Sequence, residues 1–415
     1  MLNKKALLFG FIGICFLSFA GCGSQEIKPT TQGANNGNEL AAAQKSGRDQ
    51  ELTARGVNQG YQKKLHLSSE PRNAQQQYLL GVRFLKGDGV SQDVSQAVHW
   101  FRQAAEQGFA PAQHNLAVMY ERGAGVSKDD SQATHWFRQA AEQGLVQAQF
   151  RLGQRYLSSE NLTQEEMTQA MQWFDKAAKK GFAPAQYHLG MLQLNRKNVS
   201  QEDANQALQL LFKAAKQGFA PAQYHLGMLQ LNRKNVSQED VNQALQWFNQ
   251  AAKQGFAPAQ YNLGVIYERG AGVSQDLTQA AQWYRKAAEQ GHYEAQNNLG
   301  VMYEHGQGVS QELVQASQWY QKSAEQGFVE AQFNLGRLYA QRETDSPDNL
   351  IKAALWFRKA AEQGNVVAQY NLGLMYALGK GVTKDLNKAK HWLSQAAEQG
   401  DVESQKVLER LNSTL

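Results

Sequence analysis

The chain has 415 residues, with 42 Lys and Arg against 37 Asp and Glu for a formal net charge of +5, and two cysteines. Both signs are interleaved, as in Glu121/Arg122 and Arg285/Lys286/Glu289, so the one-signed stripe that nucleic acid requires is missing and no nucleic-acid partner is expected. Two cysteines are too few for a disulfide framework or a cysteine metal cluster.

In chain order, Lys4 and Lys5 precede an apolar run from Ala6 to Ala20, and Phe19-Ala20-Gly21-Cys22 closes it. A charged start, a short apolar stretch and small residues at its end read as an export signal over 1–21. The competing reading is a retained transmembrane anchor. A cysteine directly after Ala-Gly resembles the lipobox of bacterial lipoproteins. That resemblance implies cleavage before Cys22, acylation of its thiol and amine, and a membrane partner reached through the lipid. Gly23 in place of aspartate implies sorting to the outer membrane, facing the periplasm or displayed outside. Loss of 1–21 removes Cys15, leaving no intramolecular disulfide and no thiolate metal site, and lowers the net charge to +3.

Residues 22–66 are rich in Gln, Asn, Gly, Ala and Ser and hold too little apolar surface for a core. They read as a lipid-anchored tether with a random-coil span of roughly 35–40 Å.

From 67 to 403 the chain repeats. Trp100, Trp136, Trp173, Trp247, Trp283, Trp319, Trp356 and Trp392 each stand eight residues before a glycine, and Leu210 takes the place of tryptophan in a ninth unit. The units run about 76–111, 112–147, 148–184, 185–221, 222–258, 259–294, 295–330, 331–367 and 368–403. A period of about 36 residues is the mark of a stacked-repeat protein.

Within residues 259–291, Ala259, Leu263 and Tyr267 line one side of a first helix. Gly264 on that side, repeated at Gly153, Gly190, Gly227, Gly300, Gly336 and Gly373, predicts close helix crossings, because a helical glycine costs about 1 kcal/mol against alanine. A second helix is expected from Asp276, with Gln279 completing a capping-box-like pair that recurs as Asp93/Gln96, Asp129/Gln132, Asp203/Gln206 and Asp240/Gln243. Ala280, Trp283, Ala287 and Ala288 form its expected inner stripe and Gly291 ends it; in other units Pro111, Pro184, Pro221 and Pro258 follow such a glycine by three residues, placed to start the next first helix. Strand signals are absent.

The spacing resembles the Sel1-like repeat family, relatives of tetratricopeptide repeats, over residues 76 to about 403. The Gly-x-Gly-Val turn stands at Gly87–Val90, Gly123–Val126, Gly270–Val273, Gly306–Val309 and Gly379–Val382 and is replaced in four units, where different geometry is expected. Residues 181–203 recur identically as 218–240. The resemblance implies an all-α, right-handed superhelical solenoid of nine helix-turn-helix repeats, with 404–415 as a capping helix.

No Walker loop, dinucleotide fingerprint or H-E-x-x-H is present. His99, His135 and His391 fall in different repeats, too far apart for one zinc ion, so neither metal nor cofactor is expected. The family implies no enzyme but an adaptor for a protein or peptide partner. Display toward host proteins and weak hydrolysis of peptidoglycan or β-lactams are the alternatives. Candidate contacts lie on the first helices: an amide row of Asn115, Asn262, Asn298, Asn334 and Asn371, replaced by Arg151, His188 and His225, beside an aromatic row that includes Tyr187, Tyr224, Tyr261 and Tyr370. Amides donate and accept together, which suits a peptide backbone. The other reading of the aromatics is as wedges between successive repeats.

Overall fold

The computed structural model describes residues 72–413 except 160, 197–198, 234–235, 343–345 and 347. The expected signal, Cys22 and tether over 1–66 lie outside the described residues. Those described contain helices and turns but no strand, and none of the helices is long and apolar enough to cross a membrane. The described residues fall into two compact units, parted at 234/235.

The first unit holds α1 (Ala74–Lys86), α2 (Val94–Glu106), α3 (Ala110–Arg122), α4 (Asp130–Glu142), α5 (Val146–Leu157), α6 (Gln164–Lys179), α7 (Ala183–Leu194), α8 (Gln201–Lys216) and α9 (Ala220–Leu231). The second holds α10 (Gln238–Lys253), α11 (Ala257–Arg269), α12 (Leu277–Glu289), α13 (Tyr293–His305), α14 (Leu313–Glu325), α15 (Val329–Gln341), α16 (Asp348–Glu362), α17 (Val366–Leu378), α18 (Leu386–Glu398) and α19 (Val402–Ser413). Within each unit a helix packs on the ones before and after it in sequence, which is the nearest-neighbour order of a helical solenoid.

The caps follow sequence logic where the turn is intact. Asp93, Asp129 and Asp276 each accept the backbone N–H three residues on at 2.9 Å. Asp203 and Asp240 depart from the expectation. The N-caps there are Ser200 and Ser237, three residues earlier, and Asp240 closes a capping box by accepting from the Ser237 N–H at 3.0 Å. The altered turns thus lengthen α8 and α10 to 16 residues against 13 for α12, adding nearly one helical turn.

The helical glycines mark close crossings, as predicted. A Cβ on Gly300 would lie 2.7 Å from Cδ1 of Tyr320, and one on Gly153 would lie 2.7 Å from Cε1 of Phe174. The knob filling each crossing is not the tryptophan, however, but the residue after it. Phe101, Phe137, Phe174, Leu211, Phe248, Tyr284, Tyr320, Phe357 and Leu393 are 0–3% exposed, whereas Trp283 and Trp319 are half-buried. One residue is 100° of helix rotation, so the inner stripe runs through Tyr284 and the indole lies at its edge. There the Lys286 ammonium sits 4.0 Å over the Trp283 ring, and Lys322 likewise over Trp319.

A buried glutamine row, unmarked in the periodicity argument, ties hairpin to hairpin. Gln260 is 4% exposed and donates to the Ala252 carbonyl at 3.0 Å, satisfying an orphan acceptor in the last turn of α10. Its own Oε1 accepts from Gln290 at 2.7 Å. The same two bonds recur at Gln113, Gln186, Gln296, Gln332 and Gln369. Lys180 breaks the row: it donates to the Gly144 carbonyl instead, and Gln149 Oε1 stays buried without a partner.

Candidate protein-interaction surface

The first helix α11 is hemmed in on more than one side. In this helix Ala259, Gln260, Asn262, Leu263, Gly264, Val265 and Ile266 are all buried, so Asn262 sits between elements rather than on an open flank, whereas Asn115, Asn298, Asn334 and Asn371 are half-buried.

Those rows meet each other across repeats. Tyr78 is hydrogen-bonded to Asn115, and Tyr261 to Asn298. Asn334 donates to Asn297 Oδ1 at 3.0 Å, and Asn297 donates to Asn298 at 3.3 Å. Tyr187 Oη stands 3.3 Å from Nδ1 of His225, which also lies 3.0 Å from the Pro221 carbonyl. A carbonyl only accepts, so that ring nitrogen carries the proton. Where the aromatic position offers no polar tip, as at Phe333, Asn371 turns back to the Val367 carbonyl of its own helix at 2.7 Å.

The remaining candidates follow the same pattern. Asn262 is 4% exposed and Tyr224 is 7% exposed. His188 stacks on Phe174 with centroids 5.5 Å apart, and burial first and His225 second hold its imidazole down to about 4. Tyr261 stacks on His292 at 4.7 Å, and burial first, with the Glu294 charge next, pushes its hydroxyl up to about 12. Tyr370 is half-buried. Apart from Tyr370, these amides and aromatics are therefore buried or engaged between or within repeats before any ligand arrives.

Arg151 differs from its row. It lines a shallow hollow of about 200 Å³ with Glu121, Gln154, Arg155 and Ser158, on the first-helix side of the first unit. Sequence reasoning found Arg151 but missed the other four, because Gln154 and Ser158 lie in a unit whose turn pattern is replaced. Their spacing of three and seven residues from Arg151 was the available signal. Among the described residues no group of three or more His, Cys, Asp or Glu is placed to hold a metal ion.

The Sel1 repeat profile matches nine successive segments, 77–109, 110–145, 146–182, 183–219, 220–256, 257–292, 294–328, 329–365 and 366–401. The chain belongs to the Sel1 repeat family. A crystal structure of c5321, described as a protective antigen of uropathogenic Escherichia coli strains displaying an SLR fold, is 36% identical, with a TM-score of 0.62 over 91% of this chain and 80% of that one. A Sel1 repeat protein from Oxalobacter formigenes is 26% identical, with a TM-score of 0.40 over 98% of this chain and 99% of that one. Comparison with curated proteins returned no match. Sel1 repeats in general mediate protein–protein interaction, and in this chain the hollow beside Arg151 on the first-helix side of the first unit adjoins a second one, lined by Asp130, Ser131, Thr134, His135 and Arg138 of α4 with Arg155.

Proposed function

We propose that this Sel1 repeat protein is a non-enzymatic interaction scaffold of the bacterial cell envelope, lipid-anchored through Cys22, that binds a peptide or protein partner on the face of its first helices. The observation that carries the reading is the mutual pairing of that face. Tyr78 with Asn115, Tyr187 with His225 and Asn297 with Asn334 hold neighbouring first helices in register, so a partner meets a preorganised surface and little ordering cost remains at binding. Anchoring by lipid rests on the Ala20-Gly21-Cys22 sequence.

Photo-crosslinking in living cells tests the face. A crosslinker at the exposed position 122, seven residues from Asn115 and on its side of α3, is expected to capture a protein partner, and one at the exposed position 139 on α4 is not. Adducts from 139 alone would overturn the assignment. Cys22→Ser is expected to leave the detergent phase, and unchanged partitioning would sink the lipid anchor. Turnover of peptidoglycan or a β-lactam by purified protein would contradict the non-enzymatic reading.

A second reading, display on the cell surface toward host proteins, is supported by the description of the 36%-identical relative as a protective antigen. Its mark is loss of the protein when intact cells are treated with protease.

A further inference from the structure

The amide row changes character between the two units. In the first unit three consecutive first helices fill it with Arg151 on α5, His188 on α7 and His225 on α9, whereas the second unit fills it with Asn262, Asn298, Asn334 and Asn371, which do not titrate. His188 is wedged among rings: Phe174 of α6 at 5.5 Å between centroids, Phe150 of α5 at 5.4 Å and Tyr187 at 5.2 Å. It makes no hydrogen bond among the described residues. His225 lies 5.4 Å from the Tyr187 ring and donates from Nδ1 to the Pro221 carbonyl, which leaves its Nε2 as the place for a second proton. Both imidazoles are half-buried, so each keeps an edge toward solvent.

A proton on either ring meets no carboxylate among the described residues. The helices α7 and α9 share the sequence APAQYHLGMLQL, which holds neither Asp nor Glu. On α5 the charged groups are Arg151, of like sign, and Arg155, which is spent on Glu121 and Asp130. On α6 Asp175 is tied to Lys179 at 2.6 Å, Glu166 accepts from the Thr163 N–H at 2.8 Å, Lys176 lies over Trp173 and Glu165 is exposed. The helix α8 meets α7 through Leu211 at the Gly190 crossing, and its Glu202, Asp203, Lys213 and Lys216 are all exposed. Burial first and the neighbouring His225 second hold His188 down to about 4, and burial holds His225 below its ordinary value although the Pro221 carbonyl favours its proton. The opened helices bind these protons first, so the seam is fully stabilised above 6.5 and loses stability as pH falls from there.

We propose that His188 and His225 form an acid-operated joint of the first unit: as pH falls from 6.5 to 5, two like charges arise on neighbouring first helices with no counter-charge, and α6 to α9 loosen while the second unit stays closed. The second unit lacks such a seam. Its described imidazoles His305 and His391 are exposed, and His292 has the Glu294 carboxylate 3.1 Å away to receive a proton's charge.

The test is hydrogen exchange of the full chain at pH 7 and pH 5, expressed as protection factors so that the intrinsic pH dependence of exchange cancels. Residues 181–203 and 218–240 give identical peptides, so the readout is taken from α6 and from 204–217 of α8, with α12 and α14 as the internal reference. Protection in α6 and α8 is expected to fall roughly twentyfold from pH 7 to pH 5 through His188 alone, and more with His225, while α12 and α14 hold. His188→Asn with His225→Asn, which installs the second unit's own residue, should remove most of that fall. Should the asparagine variant already be loose at pH 7, His188→Phe with His225→Phe keeps a ring at each place and serves as the comparison. An equal fall in both units, an unchanged protection at pH 5, or a fall that survives the phenylalanine pair overturns the joint.

Discussion

Asn334 donates its amide to the Oδ1 of Asn297 at 3.0 Å, from one first helix to the preceding one and across 37 positions of sequence. Asn297 is 7% exposed, so water does not replace the bond freely. Asn334→Ala is therefore expected to destabilise the second unit by about 1–2 kcal/mol, although alanine is the better helix former. Urea midpoints should fall, and amide exchange should speed up first in α13 and α15. A midpoint that holds or rises would show that the bond contributes nothing net.

Tyr284 and Trp283 should separate core from edge. Tyr284→Ala empties a fully buried crossing and is expected to cost about 3–5 kcal/mol, whereas Trp283→Ala, which strips a half-buried ring capped by Lys286, should cost less than half as much. The converse order in denaturant unfolding would return the tryptophan to the core. Both losses should appear first in α11 to α13, since each hairpin leans on its neighbours alone.

Gly300→Ala probes the same packing from the other side. The added methyl would meet the Tyr320 ring at 2.7 Å, and overpacking of that kind costs about 1–3 kcal/mol. Pairing it with Tyr320→Leu, which gives the methyl room, should recover part of the loss. A double variant no better than the two losses added would rule out a shared steric cause.

Glu304 is a buried carboxylate held between Tyr320, which donates at 2.7 Å, and Arg337, 2.7 Å away. Burial opposes its ionisation, yet the bonds from Arg337 and Tyr320 prevail and keep its carboxyl below the usual value of 4.5. Its contribution is thus complete above that value and lost as pH falls through the depressed one. Arg337→Met should destabilise by roughly 2–3 kcal/mol at pH 7. At pH 3.5 the penalty should shrink, because the stranded carboxylate can take a proton. Equal penalties at both pH values would remove Glu304 from the account.

His114 and His188 set a second pH window. Both imidazoles are held at about 4 against an ordinary 6.5, with burial as the leading cause. The unfolded chain binds these protons first, so stability is full above 6.5 and drains as pH falls from there toward 4. Calorimetry is expected to show the melting temperature dropping between pH 6.5 and 5, before the carboxylates titrate. His188→Phe, which keeps a ring against Phe174, should flatten that drop, and an unchanged slope would clear His188 of responsibility.

What the sequence alone determined is local and periodic. The 36-residue register, the Gly-x-Gly-Val turns, the Asp93, Asp129 and Asp276 caps and the helical glycines are each set by neighbours within a few residues, and repetition multiplies the signal. The tertiary structure decided which side of each helix those signals serve. Trp283 looked like the core anchor because it recurs, but the space left by Gly264 faces Tyr284, one residue and 100° away. Asn115, Asn298 and Asn334 looked like open ligand contacts, and their partners turned out to be the tyrosine or asparagine 37 positions back, at a distance no local pattern records. Arg151 shares a row with those amides in sequence, and only the packing reveals that Glu121 and Asp130 went to Arg155 and left it alone. A one-dimensional period specifies that repeats stack, whereas the pairing of side chains between them depends on the three-dimensional offset of one hairpin from the next.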